Sequence, residues 1–278
     1  MSVEAAMIQY RQDFIPAFEQ NMSLLKMSAT KESVLSGNQA TFLVSGSGGA
    51  TAVTRGTNGQ IPYGNAANTQ TTATLVEKHA PFEITGFNVF ASQGDQIKIM
   101  RDSSISVINR DIDLTMLAEL STATQDYGTG TASLATVLGA QTILANNDVP
   151  VEEEDNMFCV ISPAFRGYLM QTTEFASGDY VEQRPFNGAV RKFWRWNGIN
   201  WIMSSRVTGL GTSAELCYMY HRSAIGYAVN TGEEMIDVGY EAKQKTSWSL
   251  ASVYHAAEIL QQTGIVKITH DGSSFVAT

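Results

Sequence analysis

The chain has 278 residues, 44% of them hydrophobic, enough to bury one large core or two smaller ones. Its formal net charge is −9 and its 18 Lys and Arg are spread along the sequence, which excludes a surface built to neutralise phosphates and leaves any contact with nucleic acid non-specific. No apolar run approaches a membrane span, the N-terminus lacks the basic and apolar regions of a signal peptide, and Cys159 and Cys217 sit alone in apolar runs; the expectation is a protein made and assembled in a cytosol, with reduced core cysteines and no membrane partner.

Residues 4–20 place Met7, Tyr10, Phe14, Ala17 and Phe18 close to one helical stripe, with Pro16 set to kink or end it, and so predict a short docking helix on an arm. Residues 24–35 carry too many polar interruptions for a clean helix or strand and read as an extended strap. Residues 41–44 and 75–79 are strand-like. Between them, residues 46–74 hold mostly Gly, Ala, Ser, Thr and Asn, with Arg55 the only charge. A structureless stretch longer than about 12–15 residues is unusual inside a compact domain. Residues 51–54 and 60–63 are β-compatible, so the stretch predicts a long β-excursion whose apolar residues find cover on another copy of the chain. A mobile surface loop is the alternative.

Residues 81–90 alternate as a strand that is apolar on both faces, Phe82, Ile84 and Phe90 on one and Phe87 and Val89 on the other, and is therefore expected to be partly covered on both. Residues 93–124 give the longest helical signal. Ile97, Met100, Ile105, Ile108, Ile112, Met116 and Leu120 share a side, and Lys98, Asp102, Asn109 and Asp113 fall largely elsewhere. At about 1.5 Å per residue this is a spine of roughly 45 Å. The glycines at 128 and 130 break the pattern, a second domain is expected near this point, and residues 131–146 resume the helical pattern. The acidic residues Glu152, Glu153, Glu154 and Asp155 precede a buried-looking strand at 157–161; they lack metal-ligand spacing and read as a solvated loop.

Ser162 and Pro163 are a helix N-cap followed by proline at the first position. Asn197 and Gly198 join two aromatic-rich strands in a predicted hairpin. Trp194, Trp196 and Trp201 would suit stacking on sugar rings, yet alternating aromatics in a hairpin more often fill a core or interface. Residues 214–221 alternate, 223–229 read as a covered strand, and 235–241, 247–260 and 265–270 add strands or short helices. The fold class is α+β. The glycine-rich residues 45–49 lack the Lys that completes a phosphate loop and do not match a nucleophile elbow. The four histidines show neither metal spacing nor a catalytic order, so no enzyme, cofactor or metal is expected.

The order of parts resembles the major capsid proteins of tailed bacteriophages of the Caudovirales type, with the Hong Kong 97-like fold. The resemblance rests on VTRGTNGQIP at 53–62, FCVISP at 158–163, FASGDY at 175–180, CYMYHRSAIGYAV at 217–229 and YHAAEILQQTGIVK at 254–267. It implies an N-terminal arm (1–40), an extended loop with flanking strands (41–85), a peripheral domain with the spine helix (86–129 and 231–278) and an axial domain (130–230). It further implies self-assembly as hexamers and pentamers into an icosahedral shell around double-stranded DNA, in a virion assembled in a host bacterial cytoplasm. A scaffolding protein, a portal at one vertex and a decoration protein are the partners it suggests. Encapsulin nanocompartments share the fold and are the alternative within it; a tryptophan-rich carbohydrate-binding module and an unrecognised hydrolase are the alternatives outside it.

On this resemblance the subunit-interface residues are Arg55, Ile61, Pro62 and Tyr63 in the extended loop, laid on a neighbour, and Glu152, Glu153, Glu154 and Asp155 near a capsomer axis. Some relatives cross-link through a loop lysine; here no Lys lies between Lys31 and Lys78, so that chemistry is not expected. No long N-terminal scaffolding segment is evident, which implies a separate scaffolding protein or a trimmed mature form.

Overall fold

The computed structural model describes residues 19–91, 95–172, 192–232 and 235–275. Most of the expected N-terminal docking helix and all of the FASGDY stretch lie outside the described residues. The chain divides into two compact units, one of residues 1–23, 77–111 and 232–253 and the other of 24–76, 112–231 and 254–278.

The larger unit is built on a six-stranded mixed sheet in the order β5 (Asp126–Gly130), β13 (Ile265–His270), β9 (Glu215–His221), β6 (Met157–Ile161), β8 (Ile199–Met203) and β7 (Phe193–Trp196). The 128–130 glycines therefore end in a strand, parallel to β13, rather than in a break. Helices α3 (Leu134–Asn146) and α4 (Pro163–Leu169) bury Val137, Ala140, Leu144, Phe165 and Leu169 against Met157, Cys159, Ile161, Cys217, Met219, Val266 and Ile268. Each helix starts where its cap dictates: Ser133 accepts the Thr136 N–H and Ser162 accepts the Phe165 N–H. Strand β6 is buried along its whole length, and in β9 every residue but Leu216 is, so the alternation expected at 214–221 does not produce a wet face. Phe158 and Tyr220 stack, and the Tyr220 hydroxyl is 2.6 Å from Ser28 Oγ in the strap.

Asn197 and Gly198 both adopt positive φ, 53° and 68°, the conformation of a type I′ hairpin turn. Trp194 stacks on Trp201 in the core with Trp196 beside it, and Trp201 Nε1 donates to the Trp196 carbonyl. No tryptophan of this hairpin offers a ring face to a sugar.

In the same unit β1 (Thr30–Val34) runs parallel to β10 (Ile225–Asn230), which pairs antiparallel with the last part of β12 (Thr246–Ile259). The long excursion is a two-stranded hairpin, β2 (Gln39–Gly46) with β3 (Ala67–Thr74). Its root is fixed by Phe42, which lies over Gly226; a Cβ at Gly226 would meet the ring at 2.8–3.0 Å. The strand-like 75–79 stretch is split at Leu75, whose N–H is turned to the Asn38 carbonyl.

In the smaller unit β11 (Met235–Glu241) pairs with the first part of β12, and His79 of β4 (Val76–Thr85) is 2.8 Å from Ser252 Oγ of β12. The strand expected at 81–90 stops at Thr85. Thr85 Oγ1 accepts the Asn88 N–H and the Gly86 N–H goes to the Lys245 carbonyl, so residues 86–91 turn into a helix, α1 (Gly86–Ala91). Phe87 and Phe90 are then 75% and 88% exposed rather than covered. The spine helix is α2 (Gln96–Leu120), 25 residues or roughly 37 Å. It starts where Asp95 accepts the Lys98 N–H and ends where the Ser121 and Thr122 hydroxyls bond the Ala118 and Glu119 carbonyls.

Asn109 and Asp113, read as lying largely off the apolar side of α2, are nevertheless buried. Asp113 accepts the Leu24 and Leu25 N–H groups at 3.1–3.2 Å. Asn109 donates to the Asn21 carbonyl at 3.1 Å, and Arg110 pairs with Glu19 at 3.2 Å. Besides the buried Leu25 side chain and the Ser28 hydroxyl, the strap is thus held through its backbone, which calls for polar groups on the helix it crosses.

Candidate assembly surfaces

Every residue from 45 to 70 is exposed. Residues 51–54 and 60–63 form no strand, because neither meets a partner in its own chain. What order the tip has is local: Ala50 N–H to the Ser47 carbonyl, and a turn in which Gly56 and Gln60 are paired and Gly59 N–H returns to the Gly56 carbonyl. Arg55 belongs to this turn, Nη1 donating to the Gly59 carbonyl at 2.8 Å. That uses one of the five guanidinium N–H groups. Arg55, Ile61, Pro62 and Tyr63 line one concavity at the tip, so the four predicted loop residues are brought together. Tyr63 is 99% exposed and Ile61 47%.

The acidic residues sit in turns ahead of β6. Arg195 of β7 reaches Glu154 at 3.5 Å and makes a short contact with Asp155. Glu153 accepts from Asn156 Nδ2 at 2.7 Å and is 3.4 Å from His221 Nε2. The Asn156 and His221 contacts hold the Glu153 carboxyl below the usual carboxylate range. Three of the four acidic side chains thus have cationic or amide partners inside the subunit, and the tip and the acidic run are separate surfaces. The bridging Arg195 was not singled out in the sequence; its only signal is its place between two tryptophans in the hairpin.

Exposed apolar side chains also lie on β11 and on α1 in the smaller unit. On β11, Ile236, Val238 and Tyr240 follow one another at strand spacing and all are exposed, and Phe87 and Phe90 fall on one side of α1. The cue is present in the composition of 235–241, which is too apolar for a solvent-facing strand. Among the described residues no group of three His, Cys, Asp or Glu is arranged to hold a metal, and no helix is long and apolar enough to cross a membrane.

Long exposed hairpin, uncovered aromatics and small closed cores together define a chain built to be completed by other chains. A family model of phage capsid proteins matches residues 3–272, and the chain belongs to that family. It is a structural component of a bacteriophage virion. Solved structures match in fold over nearly the whole chain. One from Mycobacterium phage Che8 has 13% identity and a TM-score of 0.74, covering 95% of this chain and 97% of that one. The capsid of Ralstonia phage GP4 has 13% identity and a TM-score of 0.72 over 99% and 98%. The mature capsid of bacteriophage PhiM1 has 14% identity and a TM-score of 0.69 over 96% and 93%. The mixed α+β fold is therefore of the Hong Kong 97-like capsid type. No curated protein matches the sequence.

Proposed function

We propose that this chain is the shell-forming major capsid protein, assembling as hexamers and pentamers into a closed icosahedral shell around double-stranded DNA. The observation that carries the reading is the tip of the β2–β3 hairpin, exposed along its whole length and apolar at Val53, Ile61, Pro62 and Tyr63. A subunit that cannot cover this surface covers it with a neighbour. In this reading residues 1–40 are the arm, 41–85 the extended loop, 86–129 and 231–278 the peripheral domain, and 130–230 the axial domain. The acidic run, Glu152 to Asp155, faces its symmetry mates around the capsomer axis. A scaffolding protein during assembly, a portal at one vertex and a decoration protein complete the particle, and DNA is held by non-specific contact. Relatives that are themselves capsids in solved structures support the closed shell.

Within the loop, Arg55 is the electrostatic anchor on the neighbour and Ile61, Pro62 and Tyr63 supply the apolar contact. Replacing Arg55 with Ala leaves the fold of the subunit intact, because Arg55 bonds only its own exposed turn among the described residues. It weakens each loop contact by about 1–3 kcal/mol where the partner is charged and desolvated. Multiplied around a shell, even the lower figure lowers the temperature at which shells dissociate in a light-scattering melt. R55A shells that assemble and melt like the parent would remove Arg55 from the anchor role.

A further inference from the structure

At one end of the six-stranded sheet a carboxylate and an imidazole are enclosed together. Glu215 opens β9, His270 closes β13, and neither side chain has any exposed surface. Glu215 Oε1 accepts the Gly211 N–H at 2.7 Å, and Oε2 accepts a short bond from the Ser162 hydroxyl, the same hydroxyl that caps α4. Gly272 passes so close that a Cβ there would fall 2.4–2.5 Å from the carboxylate. His270 Nε2 is 4.0 Å from Glu215 Oε2, too far for a hydrogen bond, and has no other partner among the described residues. His270 Nδ1 is 3.2 Å from the Ala132 N–H and 3.3 Å from the Gly130 carbonyl. Those two groups make opposite demands. A lone pair on Nδ1 accepts from Ala132; a proton on Nδ1 donates to Gly130.

We propose that His270 is a proton-operated switch at the junction of β5 and α3. Neutral, it holds the Ala132 N–H, one residue before the Ser133 cap of α3. Protonated, Nδ1–H turns to the Gly130 carbonyl, Nε2–H closes on Glu215, and the Ala132 amide is released. The surroundings leave the decision to this pair. Asp271 is engaged by the Ser273 N–H and hydroxyl, the Tyr168 and Phe165 rings of α4 make T-shaped contacts with the imidazole at centroid distances of 5.2 and 5.0 Å, Cys217 further along β9 is a buried thiol, and α3 carries no charged residue. Burial lowers the imidazole pKa from 6.5, against the opposing pull of the Gly130 carbonyl, Glu215 and Asp271, so the neutral state is the resting one near pH 7. The sign follows: the unfolded chain takes up its proton first, so this site's contribution to stability falls as pH drops from about 6.5 towards the lowered folded value, then levels.

Hydrogen exchange by mass spectrometry on the intact protein, from pH 8 to pH 5 and corrected for intrinsic rates, reads the switch. The peptide containing Ala132 should lose at least about tenfold in protection along a one-proton curve, the equivalent of one released hydrogen bond, while peptides within β6 stay protected. In a His270→Gln variant the Ala132 protection becomes independent of pH over that range. Protection at Ala132 that does not change with pH in the parent, or that falls only together with β6, would overturn the proposal.

Discussion

Asp113 is the residue on which the root of the N-terminal strap hangs, and removing its carboxylate has a calculable cost. Its two oxygens accept the Leu24 and Leu25 N–H groups at 3.1–3.2 Å, and both Asp113 and Leu25 are fully buried. Aspartate is a poor residue for a helix interior, so these bonds are its reason for being there. In Asp113→Ala two backbone donors lose their acceptor with no route to water for Leu25. Hydrogen bonds to charged groups contribute about 1.5–3 kcal/mol, and an orphaned buried donor costs about 1–3. Counting the Leu25 bond in full and the half-exposed Leu24 bond in part gives a loss of about 2–4 kcal/mol. Asp113→Asn keeps one acceptor oxygen but aims an NH₂ group at a donor, and should lose about 1–2 kcal/mol. Urea unfolding of the unassembled subunit measures both, the transition moving to lower urea at unchanged slope. Hydrogen exchange at Leu24 and Leu25 should accelerate in step. An Asp113→Ala subunit within about 0.5 kcal/mol of the parent, with the Leu25 amide still protected, would refute the clasp.

Two further outcomes follow from the same geometry. Neutralising Glu152, Glu153, Glu154 and Asp155 together should change the rate or the salt dependence of assembly followed by light scattering, because in the proposed placement like charges from five or six copies repel through a screening solvent, while the urea midpoint of the subunit stays in place; unchanged assembly would put the acidic run away from the axis. Burial pushes the Cys217 thiol up to about 12 and raises Cys159 well above its ordinary value, so both should resist a chromogenic thiol reagent at pH 8 until the protein is denatured; rapid labelling of the native protein would contradict the closed core.

What the sequence made legible was local. The Ser162 and Pro163 helix start, the Asn197 and Gly198 turn, the buried run at 157–161 and the helical repeat of α2 each depend on residues within a few positions of one another, and each stands where expected. The tip of the long hairpin was legible for the opposite reason, as a stretch whose few apolar residues find no cover in their own chain. Features decided by distant partners were not. Phe82 to Phe90 alternate as a strand should, but the Lys245 carbonyl, far along the chain, takes the Gly86 N–H and a helix starts there. Asn109 and Asp113 fall off the apolar side of α2, and only the N-terminal segment laid across them shows what they bond. Glu215 and His270 show no common spacing because β9 and β13 meet only through the sheet register that pairs His270 with Glu215.

On the proposed function, this chain completes itself only in a closed shell. Electron microscopy of the purified protein, expressed with and without a scaffolding partner, tests it most directly. Closed particles with five-fold and six-fold capsomers are expected, in which the 47–66 hairpin tip of each subunit lies on its neighbour. Monomers alone, across protein concentration, salt and added scaffold, would contradict it.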